Sequence, residues 1–171
     1  MITLNKKQVK GILDILKCED SITRPALQTI RIKRDGYMYM TDGYMAIRAK
    51  LETEPVPSDD SQEELVITLE NLERWYKLAK PKDVLNEITI CDLQDTEDGT
   101  QFPDMAALYK QFLDKPKVKL ESVMFDVDKL KTIMAVIGAD YTKIEFYGDE
   151  KNYVINIKGD EFDAILMPLM K

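Results

Sequence analysis

Residues 2 to 17, Ile2-Thr3-Leu4-Asn5-Lys6-Lys7-Gln8-Val9-Lys10-Gly11-Ile12-Leu13-Asp14-Ile15-Leu16-Lys17, carry the pattern from which the fold is read. Three apolar-leaning residues suit a short strand, and Asn5 is a natural N-cap for a helix beginning at Lys6. Val9, Ile12, Leu13 and Leu16 then recur at helical spacing, which predicts a helix with one apolar stripe. The same plan returns twice. Leu65-Val66-Ile67 precedes a stripe of Leu72, Trp75, Tyr76 and Ala79. Val123-Met124-Phe125, capped by Asp126 or Asp128, precedes Leu130, Ile133, Met134 and Ile137. Residue identity between the three is low, so the repeat is one of pattern.

Strand signals follow each helix. Between Leu27 and Arg34, Ile30 and Ile32 alternate with Arg31 and Lys33, as a strand with one buried and one wet face requires. Asp35-Gly36 supplies a tight turn, Tyr37 to Met40 returns, and Asp42-Gly43 turns the chain into a strand from Tyr44 to Leu51. In the third unit, Lys143 to Phe146, Tyr153 to Ile157 and Phe162 to Met167 repeat the arrangement, with Gly159-Asp160 before the last. The second unit has a clear strand at Glu87 to Leu93 and a weaker partner ending near Phe102. Pro55 to Glu64 and Lys115-Pro116-Lys117 are polar connectors, and Pro103 to Leu113 reads as a short extra helix.

Composition narrows the function. The 171 residues are 44% hydrophobic, enough for a packed core. A net charge of -7 and a pI near 4.8 argue against a uniformly basic nucleic-acid binder, while leaving local patches open. No apolar run suits a membrane span and no signal-peptide pattern opens the chain, so a cytoplasmic location is expected. Cys18 and Cys91 fit neither a disulfide scaffold nor a zinc site. With no histidine, imidazole-based triads and imidazole metal ligands are excluded, and catalysis would need carboxylates or lysines alone. The acidic run Asp92 to Asp98 is a poor calcium loop. With Gly99 at the turn glycine, Gln94 and Thr96 fall on ligand positions and Met105 stands where the closing Glu belongs. No enzymatic activity, metal or cofactor is expected.

The helices share one further property. Lys6, Lys10 and Lys17, with Lys7 beside them, lie opposite the first apolar stripe. Arg74 and Lys77, then Lys80 and Lys82, do the same on the second helix, and Lys129 and Lys131 on the third. Helices lining one surface would suit a polyanion contacted through its phosphates. Lysine is equally a good residue for any solvated helix face.

Three motifs carry a family resemblance. Thr41-Asp42-Gly43-Tyr44-Met45-Ala46 resembles the Thr-Asp-Gly turn of the bacterial beta sliding clamp, the processivity subunit of DNA polymerase III. Asp98-Gly99-Thr100-Gln101-Phe102-Pro103-Asp104 is similar to the Gly-x-x-Phe-Pro-Asp segment closing that clamp's middle domain. Ala164-Ile165-Leu166-Met167-Pro168-Leu169-Met170-Lys171 resembles its Met-Pro-containing C-terminus. The resemblance implies an α+β DNA-clamp fold of repeated β-α-β-β units, with antiparallel sheets outside and helices on one inner face. Residues 1–115 would form a complete domain of two half-units and residues 116–171 a single further half-unit.

The same resemblance implies a function. A ring of twelve half-units would need four copies of three, so a homo-oligomer of even number, tetramer or dimer, is implied. It would encircle or cradle duplex DNA without sequence specificity, through Lys6, Lys7, Lys10, Lys17, Arg74, Lys77, Lys80 and Lys129. A lone third half-unit would expose its helix stripe and a sheet edge, and third units would pair across a two-fold axis. A polymerase or clamp-loader peptide motif would dock in an apolar pocket. Its residues would be Thr41, Gly43, Tyr44, Met45 and Ala46, Pro103, Ala107 and Leu108, and Ile165, Met167, Pro168, Leu169 and Met170. Arginines common in the family are replaced by Met45, Ala107 and Met170, so a different peptide is open. The reduced size would suit a phage or mobile element. The alternative is a clamp mimic that binds replication proteins and inhibits or redirects them without holding DNA.

Overall fold

The computed structural model of the chain describes residues 3–19, 23–51, 64–86, 93, 101–138, 142–149 and 152–169. The first unit comprises β1 (Thr3–Asn5), α1 (Lys6–Leu16), a 3-10 turn (Pro25–Gln28), β2 (Thr29–Lys33), β3 (Tyr37–Thr41) and β4 (Met45–Lys50). The second contributes β5 (Glu64–Thr68), α2 (Leu69–Leu78) and β6 (Val84–Asn86). A connecting helix, α3 (Met105–Leu113), leads to the third unit, α4 (Val127–Ile137), β7 (Lys143–Gly148), β8 (Tyr153–Lys158) and β9 (Phe162–Leu166). The expected strand from Glu87 lies outside the described residues except for Leu93, as do Asp98 to Thr100 and the acidic run from Asp92.

Local chemistry explains the helix ends. Asn5 accepts from the N–H groups of Lys7 and Gln8, while the Gln8 side chain accepts from the Asn5 N–H, a reciprocal cap that satisfies donors a helix start leaves orphaned. Asp126, rather than Asp128, caps α4. Thr68 caps α2 and Asp104 caps α3.

Among the described residues, seven antiparallel strands form one sheet in the order β5-β2-β3-β4-β9-β8-β7, and β1 pairs with β6 in a second. The first two units exchange their leading strands. β1 pairs with β6 of unit two, and β5 pairs with β2 of unit one. Among the described residues the third unit shows no such exchange. Val123-Met124-Phe125, expected as a strand, has no regular structure, and its one ladder-like bond among the described residues is the Leu169 N–H donating to Met124 O at 3.0 Å.

The sequence also suggested that the third unit would expose its apolar stripe to a second copy. That expectation is corrected. β9 continues the first unit's sheet by pairing with β4, from Met45 opposite Leu166 to Ala49 opposite Phe162. α4 lies against α1, and Ile133, Val136 and Ile137 are buried. Each such aliphatic side chain contributes roughly 1.5–3 kcal/mol when fully buried. The approach is close because a Cβ on Gly11 would sit 2.9 Å from Val136 Cγ2. At the same crossing, Gln8 Nε2 donates to Val136 O at 2.9 Å, satisfying a carbonyl in the last turn of α4.

Two apolar layers flank the large sheet. The inner one, under α1, α2 and α4, holds most of the core, from Leu4 and Ile12 to Ile157 and Leu166. The outer one lies under α3 and gathers Tyr39, Ala46, Met105, Tyr109, Tyr147, Val154 and Ile165. The segment carrying α3 straps the sheet almost from edge to edge. Phe102 lies 5.5 Å from the Arg31 guanidinium on β2, and the Tyr109 hydroxyl reaches Ala46 O and Asp163 O, both at 2.9 Å. Beyond α3, Lys117 bridges to Tyr147 on β7.

Candidate functional site

The site grows from the turn after β3. The Thr41 hydroxyl donates to Met45 O at 2.7 Å and accepts from the Gly43 N–H at 3.0 Å. Asp42 Oδ1 accepts from the N–H groups of Tyr44 and Met45, both at 2.8 Å. Gly43 has φ +94°, a left-handed conformation that a side chain would strain. Asp42 is only 1% exposed. A carboxylate so deeply buried needs a counter-charge, which comes from the third unit as Lys129 Nζ, 2.5 Å from Asp42 Oδ2. The same ammonium lies 5.0 Å from the centroid of the Tyr44 ring.

The C-terminal tail completes the site. The Met167 N–H donates to Tyr44 O and the Leu169 N–H to Met124 O, each at 3.0 Å, so the tail is stitched between the turn and the start of the third unit. Tyr44, Met124, Met167 and Leu169 are 51%, 46%, 40% and 49% exposed. With exposed Val127 at the head of α4, they form an apolar ridge where units one and three meet.

The expected pocket residues divide between this ridge and the layers that support it. Gly43, Tyr44, Met167 and Leu169 are exposed on the ridge, and Pro168 is half-buried. Thr41 and Met45 are buried, Met45 within the inner core. Ala46 and Ile165 belong to the outer layer, with Leu108 packed against it. Pro103 and Ala107 are exposed at the start of α3. Met170 lies outside the described residues. Met124, Val127 and Lys129 are ridge residues that sequence reasoning did not assign there. No sequence signal marks them, because they reach the turn through the packing of α4 on α1 and the pairing of β9 with β4.

The basic residues expected to face DNA are spread over different surroundings. Lys7, Lys10 and Lys80 are exposed. Lys6 is half-buried, donating to Ala79 O at 2.7 Å and lying 4.8 Å from the Tyr76 ring centroid. Lys17 pairs with Glu73, which also takes Lys77 at 3.2 Å, and Arg74 pairs with Glu70 at 3.4 Å. Hydrogen bonds from Lys17 and then Lys77 hold the Glu73 carboxyl below its ordinary range. Lys10, Lys17 and Lys77 converge on a groove between α1 and α2 that also holds Leu13, Tyr76, Asp14 and Glu73. α1 bears three cations and one carboxylate, α2 two of each, and α4 two cations and one carboxylate. Among the described residues no group of His, Cys, Asp and Glu is arranged to hold a metal.

Antiparallel sheets, units that trade leading strands, and α1, α2 and α4 gathered on one face make up the fold, and solved sliding clamps share it. The DNA polymerase III beta subunit from Pseudomonas aeruginosa matches with a TM-score of 0.58 at 10% identity, over 98% of this chain and 66% of that one. The beta subunit from Thermotoga maritima matches with a TM-score of 0.54 at 10% identity, over 98% and 64%. The Helicobacter pylori beta clamp matches with a TM-score of 0.55 at 11% identity, over 99% and 66%. The chain therefore spans about two thirds of the length of these proteins. No protein-family model and no curated protein sequence matches it. Among the described residues no helix is long and apolar enough to cross a membrane.

Proposed function

We propose that this chain is a sliding-clamp-like replication factor that catalyses no reaction, cradles or encircles duplex DNA as a homo-oligomer, and tethers a replication protein at the apolar ridge. The observation that carries the reading is the clamp fold running over 98% of the chain. In this proposal residues 1–115 form a domain of two half-units and residues 116–171 a third half-unit. An even number of copies, two or four, supplies the rest of a ring in the cytoplasm. Lys7 and Lys10 are the strongest candidates for phosphate contact, since no carboxylate among the described residues pairs with either. The test is retention on closed circular DNA and release when the circle is linearised. Charge reversal at Lys7 and Lys10 is expected to weaken association and reduce its salt dependence. Retention that is indifferent to circle topology overturns the encircling reading.

A second reading is favoured by one observation. Glu73, Glu70 and Asp42 between them engage Lys17, Lys77, Arg74 and Lys129, and the whole chain has a net charge of -7. A helix face so neutralised suits a clamp mimic that occupies replication proteins without holding DNA. Inhibition of a host polymerase, with no retention on any DNA, supports this reading over the first.

A further inference from the structure

We propose that Lys117, Lys143 and Lys158, gathered around Glu145 on the outer face of the large sheet, form a binding site for a phosphate dianion, free or carried as a monoester. Lys143, Glu145 and Tyr147 alternate along β7, and Lys158, Asn156 and Val154 stand opposite them in register on β8. Tyr147 and Val154 belong to the outer layer, so this face is turned away from α1, α2 and α4. Lys117 arrives on the connector after α3. The Val118 N–H donates to Phe146 O at 3.0 Å and the Gly148 N–H to Pro116 O at 2.9 Å, which fixes the connector along β7.

Charge is not balanced at this place. Lys117 and Lys143 both reach Glu145 Oε1, at 2.6 and 2.9 Å, and Lys158 reaches Oε2 at 3.2 Å. Among the described residues Glu145 is the one carboxylate partner of all three, which leaves two positive charges unmatched in a chain whose net charge is -7. Asp163, opposite Lys158 in register, is engaged by Arg48 at 3.1 Å. The Glu145 side chain is only 8% exposed, whereas those of Lys117, Lys143 and Lys158 are 60%, 70% and 41% exposed. Each ammonium has three donors, so all three keep donors for a ligand after serving Glu145. A carboxylate ligand offers two oxygens, while a phosphoryl group offers three and a charge near -2, which matches both the number of ammoniums and their excess charge. The buried carboxylate holds the lysines together before a ligand arrives, so less side-chain freedom is lost on binding.

The test is an amide chemical-shift titration of the full chain at constant ionic strength, set with chloride, using inorganic phosphate as the free anion and phenyl phosphate as the monoester. Saturating shifts are expected at Lys117 and along β7 and β8, with α1 and α2 unmoved. The double variant Lys143→Gln/Lys158→Gln is expected to bind about tenfold more weakly, as the loss of two exposed charge contacts implies. Lys117→Gln, on the connector and outside the sheet ladder, should weaken binding less and in the same direction. Equal affinity for the two probes supports a site for the phosphoryl group alone, and tighter binding of phenyl phosphate supports a site for a phosphorylated molecule. Shifts that grow linearly without saturating, that saturate equally in the double variant, or that fall on the groove of Lys10, Lys17 and Lys77 overturn the proposal.

Discussion

Asn156 is fully buried on the outer face of β8, between Glu145 and Ile165 in register, and no described group partners its side-chain amide. Burying an unpaired amide is costly, whereas valine suits a strand and has no polar group to satisfy. Asn156→Val is therefore expected to stabilise the chain by about 1–2 kcal/mol, read as a raised urea midpoint at unchanged slope. Gly11 gives the opposite case. A larger side chain there must push into Val136, so Gly11→Leu is expected to cost about 1–3 kcal/mol in the same measurement, despite leucine's better helix propensity. Tyr109 reaches a carbonyl on each side of the β4–β9 seam, and its burial holds the phenol above its ordinary pKa. Tyr109→Phe should cost about 1 kcal/mol and speed amide exchange along β9 more than along β2.

Among the elements, β7 has the most concentrated electrostatics. Glu145 accepts from Lys117 at 2.6 Å, Lys143 at 2.9 Å and Lys158 at 3.2 Å, and from the Tyr147 hydroxyl at 2.9 Å. Hydrogen bonds from Lys117 and then Lys143 hold its carboxyl well below the usual carboxylate range. A depressed folded-state pKa gives stability that is present above the unfolded value, about 4.3, and is lost as pH falls toward the folded one. Glu145→Gln should thus lower stability at neutral pH and flatten the acid limb of a stability profile below about pH 4. Elements were legible in the sequence to different degrees. α1, α2 and α4 followed from apolar spacing and capping residues, and the hairpins from Asp35-Gly36 and Asp42-Gly43. Val123 to Phe125 has the composition of a strand and forms none, because β structure requires a neighbour and composition cannot supply one.

On the scale of the molecule, units one and three are one body. They share a sheet through β4 and β9, a helix pair through α1 and α4, and the strap through α3. The slowest-exchanging amides of α1 and α4 should accordingly open together, with the same denaturant dependence. Independent opening of α4 would mean that the third unit is a separate domain.

The sequence by itself determined the repeated unit, the helix faces, the tight turn at Asp42-Gly43 and the apolar tail, because spacing, capping and turn chemistry act over a few residues. The tertiary structure decided where the third unit went. Its helix stripe found α1 and its last strand found β4, so the helix stripe that the sequence left for a second copy is covered within the chain, while β7 ends the sheet. The same packing brought Lys129 to Asp42, across 87 residues. Long-range pairing of this kind depends on which edges and faces remain unsatisfied once the local elements have formed, and a linear pattern does not encode that directly.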